Sequence, residues 1–425
     1  MSQLTPALLG CRLTACTGVK RVYRGLALGF ILCLGAAAAL AQSAQKSASA
    51  IGKVTPAQTI TIALISLRGD PRYQSRTIEH HYLGHPSGRL LRAAELALQD
   101  GRLVLSADGL SLAMRDVLVP DSEALGAALQ KLIGEGVRYW LLDLPAPLVT
   151  QSVQAAHGNA LMFNVSARDD SLRGASCADN LFHVIPSDAM RSDALAQYLA
   201  ARNWRKALVL EGTTPADQAL AAAWRRAANR YGIQTTATKT FKLSGNPAER
   251  DMANTRLLTG ERGHDIVAVW DADGEFARTL PYATQWPRPV IGSNGLVALA
   301  WHPQWERNGG PQLSRRFRKS AQREMVAQDW AAWLSVKAIV RLLTSIETRA
   351  IGEQAAALSS AINIDGYKGP SLSFRAWDGQ LRQPIFIAHA DGVITAAPDD
   401  GVLHPTENMD TLGFDESEGL CKRQP

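Results

Sequence analysis

The chain has 425 residues, of which 46% are hydrophobic and 20% charged, with 45 basic side chains against 39 acidic ones. Four of the basic residues (Arg12, Lys20, Arg21 and Arg24) and none of the acidic ones lie in the first 41 positions, so without that segment the balance is 41 against 39. A near-neutral remainder excludes a nucleic-acid partner recruited by charge, and its length, beyond one ordinary core, implies two domains.

The first 41 residues have the layout of an export signal. Lys20, Arg21 and Arg24 form a basic patch, residues 25–38 are apolar, and Ala39-Leu40-Ala41 supplies the small residues that signal peptidase requires, so cleavage is expected before Gln42. The apolar run falls short of a span of about 20 residues, and no later stretch is long and charge-free enough to cross a bilayer. Leu32 before Cys33 does not fit a lipoprotein signal. A soluble periplasmic protein is expected, preceded by a leader over residues 42–58 rich in Ser, Ala, Gln and Lys. Only Cys177 and Cys421 survive processing; an oxidising compartment would join them, the alternative being two free thiols.

From residue 59 short apolar runs alternate with helical patterns. Residues 60–67 (ITIALISL) predict a buried strand, and residues 88–100 a helix with Leu90, Leu91, Ala94, Ala97 and Leu98 on one face. A strand at 110–117, a helix opened by Asp121 or Ser122, a strand at 137–144, a helix at 149–156 and a strand at 160–165 follow. The rhythm restarts with helix 188–201, strand 206–210, helix 215–231 and strand 234–243, then helix 251–258, strand 265–270, helix 275–285 and strand 288–291. A long helix over 328–344 places Val336, Ile339, Val340 and Leu343 on one face. Residues 371–377 and 384–389 flank Asp378-Gly379 and predict a hairpin. After Pro398 the chain turns acidic and loop-like. Strands separated by helices imply right-handed crossovers and parallel sheets covered on both faces, an α/β fold.

Three segments carry a family resemblance: ITIALI with GRLLRAAELALQDG, the stretch NLFHVIPSDAMRSDALAQYLAARNWRKALVL, and WLSVKAIVRLL with GPSLSFRAWDGQLRQPIFIAHADG. In these the chain resembles the type 1 periplasmic binding proteins of the leucine/isoleucine/valine class, over about residues 59–397. The resemblance implies two Rossmann-like lobes with parallel sheets joined by a multi-strand hinge near residues 179–188. Lobe 1 would comprise 59–180 and 290–377, lobe 2 would comprise 181–289 and 378–397, and 398–425 would be a tail. It also implies a monomeric, non-catalytic receptor that closes on a small-molecule or ion ligand and delivers it to the membrane subunits of an ABC importer. Within the family the chain is similar to a subgroup associated with pyrroloquinoline-quinone-dependent alcohol oxidation. Where amino-acid binders carry small-residue and Ser/Thr loops, it has RGDPRY after the first strand, DLPA after the third and NVSARDD after the fourth, and Ser166 alone keeps the expected chemistry.

Ligands of open α/β sheets bind outside the carboxyl ends of the strands. Those ends nominate Asp70, Asp116, Asp143, Ser166, Asp169 and Asp170 in lobe 1, and Glu211, Thr213, Thr214, Asp271, Asp273 and Ser293 with Asn294 in lobe 2; Tyr73, Tyr82, Trp140, Trp270 and Trp286 at the same rim could stack on an organic ligand, the alternative being core packing. Carboxylates dominate the set, which suggests a cationic ligand or a hard, oxygen-seeking metal ion at Asp143 and Asp271. The alternative is that each Asp caps a helix. His81 and His85 have a spacing that suits Zn²⁺ or Cu²⁺ on a helix, although Gly84 and Pro86 oppose one there. No resident cofactor is expected. The motifs for a nucleophile elbow, a phosphate loop, a dinucleotide fold or paired C-x-x-C are missing. A periplasmic enzyme with spatially assembled carboxylates, or a sensor acting on a membrane partner, remain as rival readings.

Overall fold

A computed structural model describes residues 58–79, 83–421 and 423 of the chain. The export signal, its cleavage site and the leader up to residue 57 lie outside the described residues, as do His81 and Tyr82. Continuous β-branched and leucine-rich runs form the strands of a first sheet: β1 (Gln58–Leu67), β2 (Leu110–Val119), β3 (Tyr139–Asp143), β4 (Leu161–Asn164) and β5 (Leu181–His183). Their order is β2-β1-β3-β4-β5 and every pairing is parallel. Side-chain alternation divides the core. Ile62, Leu64, Leu141 and Phe163 face one cluster, packed with residues of α1 (Leu91–Ala107), while Ala63, Ile65, Leu142 and Met162 face another, covered by α2 (Ser122–Gly134) and α3 (Ala146–Ala156).

The chain then leaves β5 for α4 (Asp188–Ala201) and builds the second sheet from β6 (Lys206–Glu211), β7 (Gln234–Thr240), β8 (Ile266–Trp270) and β9 (Val290–Gly292), with α5 (Pro215–Tyr231) between β6 and β7. The order is β7-β6-β8-β9, again all parallel. Its second face is thinly covered. The helices expected at 251–258 and 275–285 shrink to Thr255–Leu258 and Leu280–Ala283, flanked by 3-10 turns, and Pro281 denies the latter a longer hydrogen-bond ladder. The return to lobe 1 comes later than residue 290, because β9 is an edge strand of the second sheet.

A small sheet lies between the lobes. β10 (Val297–Leu299) enters it; the chain then runs through α6 (Gly310–Ala321), α7 (Ala327–Ser345) and α8 (Ile351–Ser360), of which α7 supplies Trp330, Trp333 and Val336 to the first lobe's core. β11 (Ile364–Asp365), β12 (Ser371–Phe374) and β13 (Leu381–Arg382) form an antiparallel set, after which β14 (Ile385–His389) and β15 (Gly392–Ala397) join β10. The expected hairpin is thereby shortened. Asp378-Gly379 does reverse the chain, with Gly379 at φ 68°, but the strand beyond Pro384 pairs with β10 and β15 rather than with β12. Ala298, Ile385 and Ile387 pack on the α4 side, and Ala300 and Phe386 on the first-lobe side.

Buried polar groups knit this junction. Gln380 accepts from Arg173 Nε at 2.9 Å and donates to His183 O at 3.1 Å, and Gln383 donates to Val184 O at 2.6 Å. Among the described residues no helix is long and apolar enough to cross a membrane.

Candidate functional site

A strand order of the type 2-1-3 leaves a crevice between β1 and β3, because the crossovers from these strands depart in opposite directions. Here that crevice is filled by the chain itself. Asp70 caps the 3-10 turn Pro71–Tyr73 by accepting from Arg72 N at 2.9 Å. Arg72 Nη2 then donates to Asp70 Oδ2 at 2.6 Å and to Asp143 Oδ1 at 3.0 Å, and the Tyr73 hydroxyl donates to Asp143 Oδ2 at 2.7 Å. The guanidinium groups of Arg72 and Arg89 lie 5.3 and 5.1 Å from the Tyr73 ring centre. Burial works against charge on Arg72, yet Asp143 and Asp70 hold its pKa above the ordinary arginine value. The Tyr73 phenol is raised by burial and then by Asp143. Asp70, Tyr73 and Asp143 are thus brought together, but around the half-buried Arg72.

The loop after β4 is built on Asn164, whose Oδ1 accepts from Ser166 N and Ala167 N at 3.3 and 2.9 Å. Ser166 is buried and its hydroxyl has no partner among the described residues. Asp169 is exposed. Asp170 accepts from Ala189 N at 3.1 Å at the start of α4, and its carboxyl is pushed up to about 6 by burial and then by Asp188. Cys177 is joined to Cys421, with a Cα separation of 5.8 Å.

In lobe 2 the two aspartates accept from backbone N–H groups close by in sequence. Asp271 accepts from Ala277 N at 2.8 Å and Asp273 from Glu275 N at 3.0 Å. Burial, followed by Asp273, pushes Asp271 up to about 7. Glu211 pairs with Arg225 at 2.8 Å, Thr213 is exposed beside the Thr214–Asp217 capping box, and Asn294 donates to Ala277 O and Arg278 O at 3.1 Å. Among the described residues no group of three or more His, Cys, Asp or Glu side chains is placed to hold a metal ion.

The lobes enclose a cavity of about 20 Å³, walled on the first-lobe side by Leu83, Gly84, His85 and Arg168, and on the other by Arg191, Trp270, Asp271 and Ser293. Neither Asp70 nor Asp143 lines it. The volume suffices for about one water molecule. Part of what fills the cleft is the loop after β1: Leu83 packs against Val297, Leu299 and Ala388, and Ser87 accepts from Arg323 Nη1 at 2.8 Å. On the flank, a second cavity of about 390 Å³ lies between Asp169, Asp170 and Asp188 on one side and Ala219, Ala223, Arg226 and Phe414 on the other. Of the sequence candidates, His85, Trp270, Asp271 and Ser293 meet the central cavity, and Asp169 and Asp170 the flank. Arg168 and Arg191 were not singled out from sequence. Their signal was present in part, since Arg168 stands in the loop after β4 and Arg191 three residues beyond Asp188 on α4.

No protein-family model and no curated protein sequence matches the chain. Solved structures do resemble it. An ABC transporter substrate-binding protein from Desulfitobacterium hafniense, in complex with Leu, aligns with a TM-score of 0.62 at 15% identity, over 80% of this chain and 99% of its own. A leucine-, isoleucine-, valine-, threonine- and alanine-binding protein from Brucella ovis, in a closed conformation, gives 0.64 at 15% identity, over 87% and 100%. A solute-binding protein of an ABC transporter from R. palustris, in complex with benzoate, gives 0.58 at 12% identity, over 81% and 98%. At these identities the likeness shows the fold, the two-lobed α/β architecture of type 1 periplasmic binding proteins.

Proposed function

We propose that the chain is the periplasmic, non-catalytic substrate-binding component of an ABC importer, taking a small solute between its lobes. The observation that carries this reading is that one cavity is walled by strand-end residues of both sheets, Arg168 beyond β4 and Trp270-Asp271 at the end of β8. A solute held there touches both lobes and therefore biases their separation, by no more than its preference for the closed form. The enclosed space admits a water molecule only, so the lobes part before a solute enters. The first sheet's carboxylates support a cation or a hard metal ion poorly as the solute, since Arg72 already supplies their counter-charge. A link to pyrroloquinoline-quinone-dependent alcohol oxidation rests on the sequence resemblance, and the quinone itself belongs among the solutes tried.

The test is differential scanning fluorimetry of the mature protein against amino acids, aromatic acids, alcohol-oxidation products, pyrroloquinoline quinone and Ca²⁺ or La³⁺, followed by small-angle scattering of each hit. At least one solute should raise Tm by about 3 °C or more and reduce the radius of gyration. Scattering that is identical with and without every stabilising solute, or turnover of any of them, would refute a receptor that works by lobe motion.

A further inference from the structure

Two arginines, one from each lobe, meet at the central cavity. Arg191, in the first turn of α4, is committed along one edge: Nε donates to Ala298 O at 2.9 Å and Nη1 to Asp188 Oδ1 at 3.0 Å. Its Nη2 lies against Gly84 in the cavity wall. Arg168, from the other lobe, donates no hydrogen bond to any described residue; its one ionic partner is the same Asp188 carboxylate, 3.6 Å from Nε. Two guanidinium groups thus share a single carboxylate. Burial, and next the charge of Arg168, draws the Arg191 pKa down to about 10. Trp270, only 5% exposed, also lines the cavity, and its indole N–H meets no acceptor among the described residues. Among the described residues Asp188 is the one acid that pairs with either guanidinium. Asp271 lines the same cavity and accepts from Ala277 N, and Asp169 and Asp170 line the flank cavity instead.

We propose that Arg168 and Arg191 form an anion subsite that holds the carboxylate of an organic solute, with the Trp270 N–H as a further donor. This rests on the receptor reading above. A guanidinium presents paired N–H donors that match the two oxygens of a carboxylate, and here the donors come from opposite lobes. In the empty protein Asp188 is the one carboxylate that bridges the two guanidinium groups; a solute anion between them adds a second bridge across the lobes. The solute then acts as the electrostatic latch between the lobes.

Benzoate, benzylamine and benzyl alcohol share a shape and differ in charge, as do succinate, putrescine and butane-1,4-diol, and these six serve as probes of the mature protein by fluorimetry, calorimetry and small-angle scattering. A carboxylate should stabilise the protein and reduce its radius of gyration. Arg168→Gln should weaken that binding about tenfold or more while Arg168→Lys retains part of it. Arg168 is partly exposed, so both variants are expected to fold, which the apo melting curve checks. Two results would overturn the subsite while leaving the receptor standing: closure by the amines or alcohols with none by the carboxylates, or carboxylate binding that Arg168→Gln leaves unchanged. Absence of stabilisation and closure with all six, together with failure of every solute in the wider screen, would remove the subsite and the receptor reading together.

Discussion

Arg72 sits between Asp70 and Asp143, two carboxylates that water barely reaches, at 5% and 1% residue exposure. Removing the guanidinium strands both charges. Arg72→Met is expected to lower stability by about 3 kcal/mol, as for loss of one member of a buried ion pair, and adding Asp143→Asn should restore part of it. Urea unfolding of the two variants measures this. If a metal ion rather than Arg72 balanced these carboxylates, chelator would destabilise the wild-type protein; its Tm is expected to be indifferent to chelator. Asp271 behaves differently because no cationic side chain among the described residues pairs with it. Its carboxyl is raised to about 7, whereas an unfolded Asp titrates near about 4. Between those values the folded chain holds a proton that the unfolded chain has released, so this contribution to stability is complete below pH ~4 and is lost as pH rises to ~7. Asp271→Asn keeps an acceptor for Ala277 N and has no such slope. Relative to wild type, the variant should gain about 2–3 °C in Tm between pH 5 and pH 8; equal Tm differences at both pH values would show that Asp271 is not raised.

At the level of elements, legibility followed burial and length. β1, β3 and β8 are continuous apolar runs because parallel strands are covered on both faces, and α7 declared itself through Val336, Ile339 and Leu343 on one side. The small sheet was obscure for the opposite reason. β10 has three residues, and β14 pairs with strands nearly ninety positions away and just beyond a turn, a choice set by the packing of α4 and not by any local pattern. The two short helices over the second sheet fail by composition, since Pro281 and the Asn246 and Asn254 caps cut the apolar periodicity into single turns. The same division runs through the site. That Asp70, Tyr73 and Asp143 meet follows from β1 and β3 being neighbours at a switch point, which strand order implies. That Arg72 turns inward between them depends on a side-chain rotamer and the 3-10 turn capped by Asp70. Arg191 faces the cleft because its Nε is held by the Ala298 carbonyl, a contact that exists only once β10 has crossed beneath α4.

For the molecule as a whole, the lobes are connected by more than the three chain crossings of the hinge. Beyond β15 the tail runs along lobe 2: Tyr231 donates to Thr411 O at 2.8 Å, Gly413 N donates to Asp193 at 2.8 Å, and Arg226 and Arg230 donate to Gly413 O at 2.8 and 2.9 Å. Asp410 is meanwhile gripped by Arg375 and Arg382 at the junction. The tail then reaches lobe 1, where Cys421 is bonded to Cys177 across 244 positions of sequence. A covalent link between a lobe-1 loop and a segment docked on lobe 2 limits how far the lobes can part, and it also narrows the unfolded ensemble. These two effects are separable. Cys177→Ser combined with Cys421→Ser should cost about 3 kcal/mol through loss of the cross-link, read as a lower urea midpoint, and should also raise the radius of gyration of the solute-free protein. A stabilising solute should then produce a larger change in radius than in wild type, because closure starts from a wider opening. A lower midpoint with an unchanged radius would mean that the noncovalent contacts of Asp193 and Asp410 set the opening, and that the disulfide constrains only the unfolded chain.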